Sequence, residues 1–143
     1  MNQRMGASVP WARLERWLVW LIAAHSVAIG VLLLAVPAWA VRFAGWEGAE
    51  PLFFLRQAGV FHFVVATGYL LEYHRSGTVT LLVVTKALAC VFLLASAALT
   101  DTAWSVWFSG VTDGGMGLVA LLVHRRVREG AGGGVVRGFD GAS

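Results

Sequence analysis

Four long apolar segments constrain what this chain can fold into. A helix needs about 20 mainly apolar residues to cross the hydrocarbon core of a bilayer. The segments that meet this requirement are residues 16–37, 51–73, 77–99 and 102–124. Hydrophobic side chains make up 58% of the chain and charged side chains only 13%, which lies outside the usual range of soluble domains. We therefore predict an all-α membrane protein whose four transmembrane helices form an antiparallel bundle.

The four spans leave only short connections and two tails. We predict a single membrane domain over residues 1–128 and a glycine-rich, disordered tail over residues 129–143. The first span has a second interpretation, because Arg13, Arg16 and the Ala-Trp-Ala sequence at 38–40 flank an apolar run as in a secretory signal peptide. That run is longer than the apolar region of a signal peptide. A retained span is the preferred interpretation, and cleavage is the alternative.

Basic residues are distributed asymmetrically around the predicted spans. Arginines precede the first span, follow the second and follow the fourth, and these three segments lie on one side of a four-span chain. Basic loops face the cytoplasm, so we predict that both termini are cytoplasmic, in a bacterial-type inner membrane. Tryptophans near both ends of the spans agree with this orientation. The arginines concerned are Arg4, Arg13, Arg16, Arg75, Arg125, Arg126 and Arg128.

Lys86 and Asp113 lie deep within the third and fourth predicted spans. A charged side chain inside a membrane is costly, so such residues are usually paired and often functional. The simpler interpretation is a salt bridge between two helices, in which each charge offsets the desolvation cost of the other. The functional interpretation makes the pair part of a protonatable cluster that binds a ligand or couples to an ion.

Two histidines belong to the same predicted layer. At a rise of 1.5 Å per residue, His25, His62, Lys86 and Asp113 lie about 12 to 18 Å from the predicted cytoplasmic ends of their helices. All four helices therefore contribute a polar side chain near the midplane. His25 and His62 could also serve as axial haem ligands within a bundle, which is a further alternative. The sequence shows no metal-binding signature.

Polar side chains also lie near the predicted ends of the second span. Arg56 and Gln57 are close to its outer end, where Arg56 could extend to the interface and pair with an acidic residue. If Arg56 points inward instead, its planar donors suit a carboxylate or a phosphate headgroup. At the inner end, we expect Glu72 to pair locally with Arg75.

Several function classes find no support in the sequence. The net charge of +3 comes from dispersed arginines and not from a basic stripe, so nucleic acid is not an expected partner. The single cysteine, Cys90, forms no disulfide or CxxC motif within the chain. No P-loop, dinucleotide-binding, HExxH or GxSxG motif is present. We predict no catalytic residues and favour a non-enzymatic protein.

In length, number of spans and short loops, the chain resembles small bacterial four-span proteins of the DoxX-like and related families. This resemblance concerns architecture and implies no role for individual residues. The preferred function is that of a small membrane binding or accessory protein with a polar midplane layer and no cofactor. The alternatives are an oligomeric proton- or ion-coupled transport unit and a haem or quinone redox protein. Expected partners are the lipid bilayer and a second copy or another membrane subunit.

Overall fold

The computed structural model describes residues 8–48 and 50–132. This part of the chain contains five helices and no strand. Four of the helices are long and apolar enough to cross a membrane, which indicates an integral membrane protein. The fifth is a short helix between the first two long ones. The helices are α1 (Ser8–Ala35), α2 (Pro37–Phe43), α3 (Leu52–Ser76), α4 (Thr80–Leu99) and α5 (Trp104–Gly132).

The long helices correspond to the predicted spans but extend further at two ends. α1 begins at Ser8, before the predicted start at residue 16, and α5 continues to Gly132, past the predicted end at residue 124. Hydropathy marks the apolar part of a helix, whereas backbone hydrogen bonds continue until a residue interrupts them. The first residues of the predicted tail are therefore helical. Residues 133–143, where the rest of that tail was predicted, lie outside the described residues.

The connection predicted over residues 38–50 contains the short helix α2. Pro37 occupies its first turn, where a fixed φ favours a helix and a missing N–H costs nothing. Pro37 and Val41 are buried. Gly45 follows the helix with a φ of +91°, and a Cβ at this position would lie 2.6 Å from Cδ1 of Trp104. A glycine thus ends α2 and lets Trp104 pack against it.

Glu72 joins α3 to the start of α4. The turn begins at Gly77, whose φ of +64° caps α3 in the left-handed conformation. Glu72 accepts hydrogen bonds from the Thr78 hydroxyl at 2.9 Å and from the backbone N–H groups of Thr80 and Leu81 at 3.1 and 2.8 Å. The carboxylate therefore satisfies donors that the start of α4 leaves free. The expected local pair with Arg75 is not formed, because Glu72 is engaged by this turn.

The helices approach each other most closely at glycines, and larger side chains fill the core between them. α1 lies against α3 and α5, and α4 lies against α5. The α1–α3 contact is closest at Gly30 and Gly59, where a Cβ on either residue would lie 2.9 Å from the carbonyl oxygen of the other. Small residues allow two membrane helices to approach this closely. A buried core lies nearer the N-terminal end of α1. It consists of Val19, Ile22, Tyr69, Val79, Leu82 and Ala120.

Candidate functional site

Lys86 and Asp113 form an ion pair between α4 and α5. The ammonium Nζ of Lys86 donates a hydrogen bond to Oδ1 of Asp113 at 2.5 Å. The two side chains are 8% and 17% exposed, so both charged groups are largely buried within the bundle. A Cβ on Gly117 would lie 3.0 Å from the Cβ of Lys86, which shows how closely α5 passes α4 at this height. The pair expected from the sequence is therefore present.

A partly open cavity of about 190 Å³ lies beside this ion pair, and both of its side chains contribute to the lining. Its wall contains residues from α1, α3, α4 and α5, so the four long helices meet here. α3 and α4 contact each other much less than α1 contacts α3 or α4 contacts α5, and the cavity lies beside their loose junction. The polar lining residues are Ser26, His62, Tyr69, Thr85, Lys86 and Asp113, and the apolar ones are Phe61, Val65 and Ala89.

His62 faces the same cavity from α3. Its Nδ1 lies 2.8 Å from the carbonyl oxygen of Ala58. A carbonyl can only accept, so Nδ1 carries the hydrogen and donates it. In a neutral ring this leaves Nε2 without a proton and able to accept one. A neutral His62 would therefore add an acceptor nitrogen to the cavity that Lys86 and Asp113 also line.

His25 differs from His62 in its relation to the cavity. Its side chain is exposed on α1, and it is not among the residues that line the cavity. The neighbouring Ser26, which is 2% exposed, faces the cavity instead. Successive residues of a helix point about 100° apart. Of two consecutive residues, one can therefore point out of the bundle while the next points into its centre.

Three further cavity residues, Ser26, Tyr69 and Thr85, were not among the site residues predicted from the sequence. Serine, threonine and tyrosine are common in apolar helices, and their immediate neighbours do not show whether a hydroxyl is buried or exposed. Helical spacing offers a signal for Tyr69, which lies seven residues after His62 and therefore on the same face of α3. For Ser26, the spacing from Val19 and Ile22 gives a similar indication.

Arg56 and Gln57 are exposed near the start of α3. Within residues 8–48 and 50–132, no ion pair joins Arg56 to an acidic side chain. Neither residue lines the polar cavity. Their proposed role with an anion or a lipid headgroup therefore concerns a different part of the molecule from the Lys86–Asp113 pair.

A second buried polar contact, between Glu15 and His124, links α1 to α5. Nδ1 of His124 lies 2.8 Å from Oε1 of Glu15, and the two side chains are 14% and 4% exposed. Neither Glu15 nor His124 was predicted as a site residue. Glu15 shares a helix face with Val19 and Ile22, at spacings of four and seven residues, and this pattern was the available signal.

An apolar groove of about 280 Å³ lies on the other side of α4. It runs between α4 and α5 and is lined by small and aliphatic side chains, including Ala87, Cys90 and Gly114. A Cβ on Gly114 would lie 2.7 Å from Sγ of Cys90. The groove contains no charged side chain, which distinguishes it from the polar cavity.

The described residues bring together no group of three His, Cys, Asp or Glu side chains that could hold a metal ion. Ser26, His62 and Asp113 line one cavity, yet their hydrogen bonds are not those of a catalytic triad. In a triad the carboxylate holds the histidine Nδ1–H, whereas here Nδ1 bonds Ala58 and the carboxylate bonds Lys86. In comparisons with known proteins, no family, no curated protein and no solved structure matches the chain.

Proposed function

We propose that this chain is a small membrane binding protein, and that its polar cavity holds a small, neutral, lipid-soluble molecule with hydrogen-bonding groups. The observation that carries the proposal is the cavity around Lys86 and Asp113, in which polar side chains from all four long helices converge. A concave site with a few convergent polar groups is the usual form of a small-molecule site. Intramembrane ionisable residues commonly mark such sites.

The charge of the cavity favours a neutral ligand. Lys86 and Asp113 neutralise each other, and His62 has a neutral tautomer consistent with its hydrogen bond to Ala58. An ionic ligand would have to separate the pair and leave one charge uncompensated, which costs about 3 to 5 kcal/mol for a buried pair. A neutral molecule can instead exchange hydrogen bonds with the hydroxyl groups of Ser26 and Thr85 without that loss.

The size of the cavity favours a small ligand. The cavity volume is about 190 Å³. Sites for drug-sized ligands have volumes of about 300 to 1,000 Å³. Phe61 contributes to the lining and is 57% exposed, so the cavity reaches the outside of the bundle beside α3. A ligand would therefore enter from the lipid.

We further propose an antiparallel bundle with both termini cytoplasmic, in a bacterial-type inner membrane. The arginine distribution supports this orientation through the positive-inside rule. Contacts between α4 and α5 support the antiparallel arrangement, because Lys86 lies against Gly117 whereas Leu94 lies against Gly110. The architectural resemblance to DoxX-like proteins is compatible with this arrangement, and association with a second copy or another membrane subunit stays a prediction.

The other functions receive less support from the geometry. A haem held by His25 and His62 is not favoured, because His25 is exposed and does not line the cavity that His62 faces. A quinone headgroup belongs to the neutral, hydrogen-bonding class that the cavity suits, so quinone binding is retained within the proposal. Ion-coupled transport would need a route for the ion between the cavity and water.

Binding of para-fluorophenol to the protein in lipid nanodiscs tests the proposal. This probe is neutral, lipid-soluble and able to form hydrogen bonds, and fluorine NMR detects its bound form. We expect saturable binding to the unmodified protein and none to Ala89→Leu, since the larger side chain fills the cavity. Para-fluorobenzoate, an anion of similar size, should bind at least about tenfold more weakly, which corresponds to 1.4 kcal/mol.

Ala87→Leu is the matched control for this experiment. The same substitution two residues away on α4 enlarges a side chain in the apolar groove and not in the polar cavity. It should leave para-fluorophenol binding unchanged. Equal binding to Ala89→Leu and the unmodified protein, or no binding beyond that of empty nanodiscs, would exclude the cavity as a site for this class of ligand.

A further inference from the structure

Lys86 is the only lysine in the chain. The other residues among its eleven lysines and arginines are all arginines. Arginine is well suited to a buried ion pair, because its planar guanidinium can bind a carboxylate through two hydrogen bonds and is weakly hydrated. Lysine differs in its chemistry, since an amine that has lost its proton is a nucleophile, whereas a guanidinium keeps its charge. The one side-chain amine of the chain thus lines the polar cavity.

The amine of Lys86 has a proton acceptor in direct contact. Its Nζ lies 2.5 Å from Oδ1 of Asp113. A shift of one proton along this hydrogen bond makes both groups neutral, and burial favours neutral groups over charged ones. The nitrogen then carries a free lone pair. A base within hydrogen-bond reach of the proton that it removes is the usual arrangement of an activated nucleophile.

The rest of the cavity suits an uncharged carbonyl compound. The hydroxyl groups of Ser26 and Thr85 can donate hydrogen bonds to a carbonyl oxygen, and the apolar side chains of Phe61, Val65 and Ala89 can contact the body of the molecule. An aldehyde is neutral, lipid-soluble and unhindered at its carbonyl carbon. It therefore belongs to the ligand class argued above and can enter where the cavity opens beside α3.

We propose that the polar cavity binds a small, lipid-soluble aldehyde covalently, as an imine on Lys86. This rests on the ligand site proposed above and specifies its chemistry. Asp113 takes one proton from the ammonium group, the lone pair of Nζ bonds to the carbonyl carbon, and a second proton of Nζ moves to the carbonyl oxygen. Asp113 then returns its proton to this oxygen, which leaves as water while the C=N bond forms. The third proton stays on Nζ in a protonated imine.

The conservation of charge favours an aldehyde over other reactive ligands. The protonated imine carries the same single positive charge as the ammonium group, so Asp113 keeps its partner. An ester or another acylating ligand would convert the amine to a neutral amide and leave the carboxylate buried without a counterion, which is strongly unfavourable. Of these two classes of carbonyl compound, only the aldehyde leaves the ion pair intact.

Carbon-13 NMR with para-fluorobenzaldehyde, labelled at its carbonyl carbon, tests this proposal on the full chain in maltoside micelles and an amine-free buffer. The carbonyl signal moves to the imine range when the C=N bond forms. We expect a saturable imine signal in the unmodified protein and none in Ala89→Leu, which retains Lys86 but fills the cavity. Ala87→Leu, which enlarges a side chain in the apolar groove instead, should retain the signal. Borohydride reduction followed by peptide mass analysis should locate the label on Lys86.

A double variant moves the amine to an exposed ion pair. Lys86→Arg combined with Arg126→Lys preserves the net charge and the number of lysines, and it places the amine beside Glu129 on the surface. We expect at least about tenfold less imine in this variant, because an exposed position neither holds the aromatic ring nor excludes the water that hydrolyses an imine. Ala89→Leu keeps the buried ion pair, so it decides the question even if the double variant does not fold.

Three results would overturn the proposal: no imine on Lys86 in the unmodified protein, as much imine in Ala89→Leu, or as much in the double variant. Para-fluorophenol separates this failure from that of the ligand site. Saturable binding of para-fluorophenol without an imine would exclude the covalent step and leave the ligand site standing. Binding of neither compound would exclude both.

Discussion

Among the residues that the structure describes, Lys86 has a single acidic partner, the carboxylate of Asp113. Lys86→Met or Asp113→Leu alone leaves one charge without its partner in an environment that is largely closed to water. We expect either variant to lower the free energy of unfolding by about 3 to 5 kcal/mol. The double variant should lose less than either single one, because no uncompensated charge remains. Unfolding in mixed detergent micelles measures these values.

The chain contains an exposed ion pair that serves as the matched control. Arg126 and Glu129 are 3.7 Å apart, and their side chains are 67% and 68% exposed. Exposed pairs contribute about 0 to 1 kcal/mol, so Arg126→Met should change the free energy of unfolding by no more than that. A double Lys86 and Asp113 variant that is less stable than both single variants would contradict the account of the buried pair.

At the scale of the helix, the contact between α1 and α3 depends on the absence of a side chain at two glycines. A Cβ at Gly30 or Gly59 would lie 2.9 Å from a backbone oxygen of the other helix, and backbone cannot rotate away. Gly59→Ala should therefore force the helices apart and lower the free energy of unfolding by about 1 to 3 kcal/mol. The same micelle titration measures the change.

Gly115→Ala is the control for this prediction, since a Cβ at Gly115 would have no neighbouring atom within 4 Å. Alanine is favoured over glycine inside a helix by about 1 kcal/mol, so this variant should be as stable as the unmodified protein or more stable. If Gly59→Ala is tolerated as well as Gly115→Ala, the close approach of α1 and α3 does not limit stability.

The sequence predicted the long helices better than the connections between them. Hydropathy identifies a span because it sums over many residues, and four spans were found with errors mainly at their ends. α2 was missed because seven residues are too few for such a sum, and its formation depends on burial of Pro37 and Val41. Glu72 was assigned to a local pair because its actual partners, Thr80 and Leu81, belong to the next helix.

For the whole molecule, the sequence indicates how far along its helix a polar residue lies. It indicates only partly whether the side chain points into the bundle or out of it. Depth follows from counting residues, and it predicted one layer of His25, His62, Lys86 and Asp113. The last three of these residues line one cavity. Direction depends on how each helix is rotated in the bundle, which its neighbours determine. His25 and Ser26 have nearly the same depth, yet only Ser26 lines the cavity.

The Glu15–His124 pair shows the same limit over a longer distance. Its members are 109 residues apart, and the arginines next to Glu15 in the sequence, Arg13 and Arg16, give no indication that its partner is His124. Only the packing of α1 against α5 brings the two side chains to 2.8 Å. To predict such a pair, one must know how the helices are arranged, and that arrangement depends on the whole chain.

The orientation of the whole molecule gives the last prediction, which single cysteines in a Cys90→Ala background can test. α3 has 25 residues and is therefore about 37 Å long, enough to place its ends on opposite sides of a bilayer. We expect a membrane-impermeant maleimide to label Ser76→Cys only in inverted vesicles and Glu47→Cys only in right-side-out vesicles. Both residues are exposed, so an unlabelled cysteine reports its side of the membrane and not burial. Detergent-solubilised protein, in which both variants should react, is the control. Labelling of both from the same side would contradict a membrane-spanning α3, and the reverse pattern would place the termini outside the cytoplasm.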